Sequence, residues 1–207
     1  MTLATRFVPV HPIGLPDPVA TVAAADPAMD PAAAVHAIIA GRRSIRKYRP
    51  DPVEEEKLAR VLEAARLAPS ARNRQPWHYV VVTDPLIRAR LQRAYDRDWF
   101  YGAPVIVCAC GEPSRNPARK HARDWRDVDV AISFDHLVLA ATAEGLGTCW
   151  VGAFDPFLVR QELHIPEGIE PIVMTPLGYP DEAPAAHERR PLVEIVHRDR
   201  WNAAEGG

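Results

Sequence analysis

Four short segments carry side chains whose types and spacing suit the holding of a phosphorylated, flat, polar-edged ligand. The first is Arg42-Arg43-Ser44-Ile45-Arg46. A guanidinium presents a planar fork of donors matched to phosphate oxygens, and a serine hydroxyl adds a neutral donor beside it. The second, Pro69-Ser70-Ala71-Arg72-Asn73-Arg74-Gln75-Pro76-Trp77, brings two side-chain amides close together. Asn and Gln each offer donors and an acceptor, as reading the amide and carbonyl edge of a heteroaromatic ring requires. The third, Gly145-Leu146-Gly147-Thr148-Cys149-Trp150-Val151-Gly152-Ala153-Phe154, has Gly152-Ala153, a stretch of backbone bare enough for a flat ligand to lie against it. The fourth is a second basic pair, Arg189-Arg190, between Glu188 and Pro191. Each has a plainer reading: a basic helix end complementing the dipole, a polar turn, a helix C-cap leading into a buried strand, and a solvated tail charge.

The elements that must position these segments alternate between helix and strand. Asp30-Pro31 predicts a helix start, with Val35, Ile38 and Ile39 on one face and Gly41 at its close. Asp51-Pro52, with Glu54 at capping-box spacing, predicts a second helix through Leu58, Val61, Leu62 and Ala65. Trp77 to Thr83 reads as a strand, and Asp84-Pro85 as the start of a short helix. The run from Pro104 to Cys110 is continuously apolar, as in a central strand covered on both faces. The longest predicted helix runs from about Asp127 to Glu144 and is apolar round most of its surface, which places it centrally or at a subunit interface. Thr148 to Ala153 predicts a strand, Asp155-Pro156 another capped helix, Ile172 to Leu177 a last core strand, and Pro191 to Val196 an added edge strand. Strands and helices in this order predict an α+β or α/β sandwich.

Composition removes several classes. The 207 residues hold 25 basic and 27 acidic side chains, so the net charge of -2 gives no field to steer the chain to nucleic acid or to an anionic membrane. No apolar run reaches the roughly 18 to 20 residues of a membrane-spanning helix, and the expected location is cytoplasmic. Cys108, Cys110 and Cys149 suggest neither a disulfide framework nor a zinc knuckle, and read as small buried hydrophobes. His78, His121, His136 and His164 lack metal-ligand spacing, so no metal site is expected. Proline is abundant, at 21 residues; Pro31, Pro52, Pro85 and Pro156 each follow an Asp at a predicted helix start, and Pro69, Pro76 and Pro104 stand in loops entering strands. Pro9, Pro12, Pro16, Pro18 and Pro27 lie in a segment without other predicted structure, which divides the chain into an irregular N-terminal arm, 1–29, and a single domain, 30–207.

Taken together and in order, the motifs resemble the FMN-dependent nitroreductase family over roughly residues 32–201. The matching stretches are Arg-Arg-Ser-Ile-Arg at 42–46, Ser-x-x-Asn-x-Gln-Pro-Trp at 70–77, Asp-Val-Ala-Ile and His-Leu-Val-Leu-Ala-Ala within 129–141, Gly-Leu-Gly-Thr-Cys-Trp-Val-Gly-Ala-Phe at 145–154, Pro-Leu-Gly-Tyr-Pro at 176–180 and Arg-Arg-Pro-Leu at 189–192. The resemblance implies an α+β three-layer sandwich with a mixed, mainly antiparallel central sheet flanked by helices. It also implies an intertwined homodimer with two FMN sites at the interface. Carried over residue by residue, it implies that Arg42 and Arg189, with Arg43 and Arg190 beside them, serve the phosphate. Ser44 would lie by the ribityl chain or ring edge, Arg46 near flavin N1 and O2, and Asn73 and Gln75 on the pyrimidine edge. Pro69, Ser70 and Ala71 would reach the partner's flavin, and Trp150, Val151, Gly152 and Ala153 would lie along the ring face near N5. Gly152 stands where some bacterial members carry Glu, the Gly form belonging to a large subgroup.

The activity so implied is ping-pong hydride transfer from NADH or NADPH through FMN N5 to a nitroaromatic, a quinone or a similar small-molecule acceptor. The cofactor supplies the chemistry, the protein contributing position and electrostatics. Trp99, Phe100, Tyr101 and His121, on the stretch around Asp98 and the basic loop at 112–126, are candidate walls of the acceptor pocket. Two rivals stand beside this reading. One keeps FMN but runs dehydrogenase, dehalogenase or oxygen-dependent flavin-fragmenting chemistry on the same fold. The other, an arginine-rich module binding nucleic-acid phosphates, is opposed by the matching number of acids.

Overall fold

The computed structural model describes residues 30–113 and 124–201. The arm expected at 1–29 and the pocket candidate His121 lie outside the described residues.

Three of the Asp-Pro pairs start helices by one mechanism. Asp30, Asp84 and Asp155 each turn a carboxylate back onto the free N–H groups of the first turn, while the proline takes the position whose N–H has no partner. They open α1 (Pro31–Gly41), α3 (Pro85–Arg90) and α6 (Pro156–Glu162). The fourth pair departs from expectation. Helix α2 begins at Glu55 and runs to Arg66, and no side chain caps it. Asp51 pairs instead with Arg49 at 3.0 Å, and the Glu54 carboxylate accepts the Tyr179 hydroxyl. Both candidate caps are thus engaged with groups outside the helix.

The sheet has four strands in the order β1-β2-β4-β3, with β1 at Trp77–Val82, β2 at Val105–Gly111, β3 at Gly147–Thr148 and β4 at Glu170–Gly178. All three strand pairs are antiparallel, and the parallel component is the single bridge Ser44 to Thr148. Strand β2 is central, and all seven of its residues are buried. Its alternation divides the core: Val105, Val107 and Ala109 face α2 and the long helix α5 (Arg126–Ala143), through Leu58, Val61, Phe134 and Leu137. Ile106, Cys108 and Cys110 face the opposite layer, with Leu91, Phe100 and Val159. The result is the helix, sheet, helix sandwich that the sequence implied, with all three cysteines free and buried. No helix among the described residues is long and apolar enough to cross a membrane.

Two expected strands differ. Over Thr148–Ala153 the ladder stops after Thr148 and returns only as a bridge between Val151 and Met174. The break falls where β4 presents Pro176, which has no N–H to give. The Cys149 N–H goes instead to Thr175 Oγ1 at 2.9 Å. The edge strand expected at 191–196 is a single exposed helical turn, α7 (Leu192–Ile195), its backbone bonding used locally as the Val196 N–H donates to the Leu192 carbonyl at 2.8 Å.

Candidate functional site

The first and third motifs, about a hundred residues apart in sequence, meet at the short edge strand. The Ile45 N–H donates to the Thr148 carbonyl at 2.9 Å, and buried Ile45 packs onto Gly147, where a Cβ would stand only 2.8 Å from it. A further segment closes the other side: the Arg49 N–H donates to the Tyr179 carbonyl and the Asp181 N–H to the Lys47 carbonyl, both at 2.9 Å. The Glu182 carboxylate accepts the Arg46 N–H. Residues 42–49 are therefore an extended ribbon held between β3 and the loop after β4. In an extended ribbon side chains alternate, so Arg42, Ser44 and Arg46 share one side, and Arg43 and Ile45 the other.

That alternation separates the arginines by task. Arg43 curls back to donate to the carbonyls of Ala40, at 2.7 Å, and Arg42, at 2.9 Å, and so caps the negative end of α1. It also lines a cleft of about 370 Å³ with Gly145, Gly147 and Glu182. Arg42 and Arg46 have no ion pair among the described residues. The Arg46 guanidinium lies 5.7 Å from the Trp99 ring centroid, which brings one expected pocket residue directly to the ribbon. The one-turn helix α4 (Asp98–Tyr101) carries that ring. Phe100 corrects the expectation: it is fully buried, edge-on to Tyr95 and Trp99, and so supports the wall from behind. Tyr101 is half-exposed, its hydroxyl donating to Asp98.

Of three further groups at the ribbon, sequence reasoning took Cys149 only as a buried hydrophobe and passed over Tyr48 and Glu182. Cys149, within the third motif, has its thiol pushed up by burial against the opposing influence of Arg46, Ser44 and Arg42. Tyr48 donates its hydroxyl to the Ile45 carbonyl, and burial raises it well above the usual phenol range. Glu182 had no signal beyond its place two residues after the Gly-Tyr-Pro stretch.

The second motif forms a separate turn between α2 and β1. Arg72, Asn73 and Gln75 hold φ of 58°, 55° and 50°, left-handed conformations that are costly for residues with a Cβ. Ser70 Oγ accepts the Gln75 N–H at 2.9 Å, and the Gln75 amide donates to Asn73 Oδ1 at 3.1 Å. Asn73 and Gln75 are exposed, with Ser70 and Ala71 half-buried and Pro69 exposed. Beyond β3, Val151 is buried and tied to Met174, while Gly152 and Ala153 are exposed and a Cβ at Gly152 would meet nothing within 4 Å. Trp150 is 40% exposed, edge-on to Phe134 at 4.6 Å. Arg189 donates to the carbonyls of His187 and Glu188 in its own loop. Arg190 is exposed, and among the described residues no hydrogen bond or ion pair joins either residue to Arg42.

The chain matches the nitroreductase family model over residues 39–96 and 89–179. It is 34% identical over 186 residues to the NADH dehydrogenase of Thermus thermophilus, with 75% of this chain and 91% of that one covered. The 5,6-dimethylbenzimidazole synthase of Rhodospirillum rubrum is 31% identical over 172 residues, covering 70% and 82%. Among solved structures, the NADPH:FMN oxidoreductase of Vibrio harveyi in complex with NAD+ aligns with a TM-score of 0.74 at 26% identity, covering 83% of this chain and 79% of that one.

Proposed function

The chain belongs to the nitroreductase family of enzymes, and on that premise we propose that it is an FMN-dependent oxidoreductase drawing on NADH or NADPH. The observation that carries the reading is the Ser44 to Thr148 bridge, which sets Arg42, Ser44 and Arg46 by Cys149, on the segment that runs on to the open backbone at Gly152. The residues present fit the cofactor: two cations with no ion pair among the described residues, an open glycine, and an amide-bearing turn are a donor set for a flat, polar-edged ring that carries a phosphate. When bound, FMN supplies two-electron chemistry from the nicotinamide to an acceptor such as a nitroaromatic or a quinone.

Arg42 binds the phosphate, joined by Arg189 and Arg190 once the tail docks, with Arg43 holding the end of α1 beneath them. Ser44 hydrogen-bonds the ribityl chain or ring edge. Arg46 would serve the N1 and O2 edge, where a fixed cation would favour the negative charge of the reduced group. Glu182 fixes the backbone of Arg46, and the Trp99 face restrains its guanidinium. Asn73 and Gln75 would read the pyrimidine edge, while Trp150, Val151, Gly152 and Ala153 would line the ring and exclude water from one face. Trp99 and Tyr101 wall the acceptor side.

The working unit is a homodimer, with Pro69, Ser70 and Ala71 reaching the partner's site. Support comes from apolar surface that a single chain leaves bare. Helix α1 buries none of its residues, with Val35 55% and Ile39 53% exposed, and Leu192, Val193, Val196 and Trp201 are all exposed on the tail.

Purified protein should show flavin absorbance, or acquire it on titration with FMN, and should oxidise NAD(P)H when a nitroaromatic or quinone is present. No flavin binding would refute the reading. A second reading, a flavin enzyme of this family with different chemistry, is favoured by the likeness to the synthase from Rhodospirillum rubrum. Protein that holds FMN but turns over neither acceptor would select it.

A further inference from the structure

The turn at residues 70–75 places three residues with side chains, Arg72, Asn73 and Gln75, in left-handed conformations within four positions. Such backbone persists only where its surroundings over-determine it. Much of what holds it is local: the Asn73 N–H donates to the Ser70 carbonyl at 2.9 Å, the Arg74 N–H to the Ala71 carbonyl at 3.3 Å, and the Gln75 N–H to Ser70 Oγ. These bonds shape the turn without fixing where it points. One tie from the turn to the packed body is the Ala71 N–H, which donates to Asp129 Oδ1 at 3.0 Å.

Asp129 is an unusual residue for that place. It is 4% exposed, on the face of α5 that also buries Val130, Ser133 and Phe134. An apolar side chain would avoid the cost of desolvating a carboxylate there. One turn along, Ser133 continues the same polar line, its hydroxyl donating to the Ala65 carbonyl at 2.7 Å and sharing a hydrogen bond with the Tyr79 hydroxyl at 2.6 Å. The line runs from the end of α2, through α5, to the turn that carries Asn73.

We propose that Asp129 is a positioning residue for the cofactor: its buried carboxylate anchors the Ala71 N–H and thereby holds the left-handed turn in the orientation that presents the Asn73 and Gln75 amides. The inference rests on the proposed reading in one respect, that those amides meet the flavin. Asp129 itself touches no ligand and acts through the backbone.

The test compares Asp129→Ala, Asp129→Asn, Ala71→Pro and the Asp129→Ala/Ala71→Pro double variant in the full chain. Ala71→Pro removes the donor from the other end of the same bond. Ser70 is extended, with φ of -142° and ψ of 158°, and Ala71 is the first residue of the short helical turn, so a proline fits the backbone there. Loss of a hydrogen bond to a charged group predicts that Asp129→Ala weakens FMN binding, followed by quenching of flavin fluorescence, about tenfold or more. Asn keeps an oxygen at the accepting position, so Asp129→Asn should stay within about threefold of the parent. Ala71→Pro should match Asp129→Ala, with the double variant no weaker than either single one. FMN affinity unchanged in Asp129→Ala and Ala71→Pro, or losses that multiply in the double variant, would overturn the proposal. Hydrogen exchange of the cofactor-free chain supplies a readout that does not depend on FMN. Asp129→Ala should speed exchange at residues 71–75 while leaving 130–141 protected, and unchanged exchange at 71–75 would overturn the anchoring role even if the parent bound no flavin.

Discussion

Gly147 is the point at which the ribbon and the short edge strand can be forced apart. Replacing it with Ala places a Cβ 2.8 Å from Ile45 Cγ1 and 2.9 Å from its Cβ and Cγ2. Ordinary contact begins near 3.4 Å, so the ribbon must retreat by about 0.6 Å. The Ile45 N–H to Thr148 carbonyl bond, now 2.9 Å, would be drawn to about 3.5 Å, where little of it remains. Ile45 is buried and cannot swing clear. Overpacking of this kind costs about 1–3 kcal/mol and the lost bond about 1 kcal/mol, so Gly147→Ala should lose roughly 2–4 kcal/mol in urea unfolding. Because the same shift moves Ser44 and Arg46 away from Thr148 and Cys149, FMN affinity should fall with it. The control is Gly145→Ala: Gly145 has φ of +75° but a Cβ there would meet nothing within 4 Å, so the change carries only the left-handed penalty, about 1 kcal/mol, with the site unmoved. Ile45→Ala combined with Gly147→Ala should be less destabilising than the two single losses added together. Equal stability of Gly147→Ala and Gly145→Ala, or simple additivity with Ile45→Ala, would refute the reasoning.

The other expectations are simpler. Gly152→Ala should leave unfolding free energy within about 0.5 kcal/mol, since its Cβ enters open space, yet weaken flavin binding, read by fluorescence titration. Arg46→Gln should slow anaerobic reduction of bound flavin by NAD(P)H by about 10- to 100-fold, because it removes the cation from the edge where charge develops; an unchanged stopped-flow rate would show that Arg46 does not face that edge. Burial pushes the Tyr79 phenol up to about 12, against an ordinary value near 10. Between these values the folded chain keeps a proton that the unfolded chain has lost, so stability falls as pH rises through that window. Tyr79→Phe should flatten the slope in urea unfolding measured from pH 9 to 11.5.

Much of the frame was legible because its causes are local. A carboxylate before proline caps a first turn whatever lies beyond, and Asp30, Asp84 and Asp155 did so where expected. A seven-residue apolar run has to be covered on both sides, and Val105–Gly111 is. Asp51 misled because the same pattern also permits an ion pair with Arg49, and the choice depended on Tyr179 taking Glu54 from across the fold. The shortened strand after Gly147 turned on Pro176, a residue of the neighbouring strand with no N–H at the required register.

The same division holds for the site. Residue types and their order were enough to propose Arg42, Ser44, Arg46, Asn73 and Gly152 as one donor set, since the chemistry of a guanidinium, an amide or a bare backbone belongs to the residue; the fold brings the ribbon to β3 and leaves Asn73 on a separate turn. Which arginine faces the site and which caps a helix, that Trp99 lies over Arg46 with Phe100 behind it, and that Asp129 anchors Ala71 were matters of folding. Each depends on the direction of a side chain from an element fixed by partners 50 to 140 positions away, and no local pattern along the chain encodes such a direction.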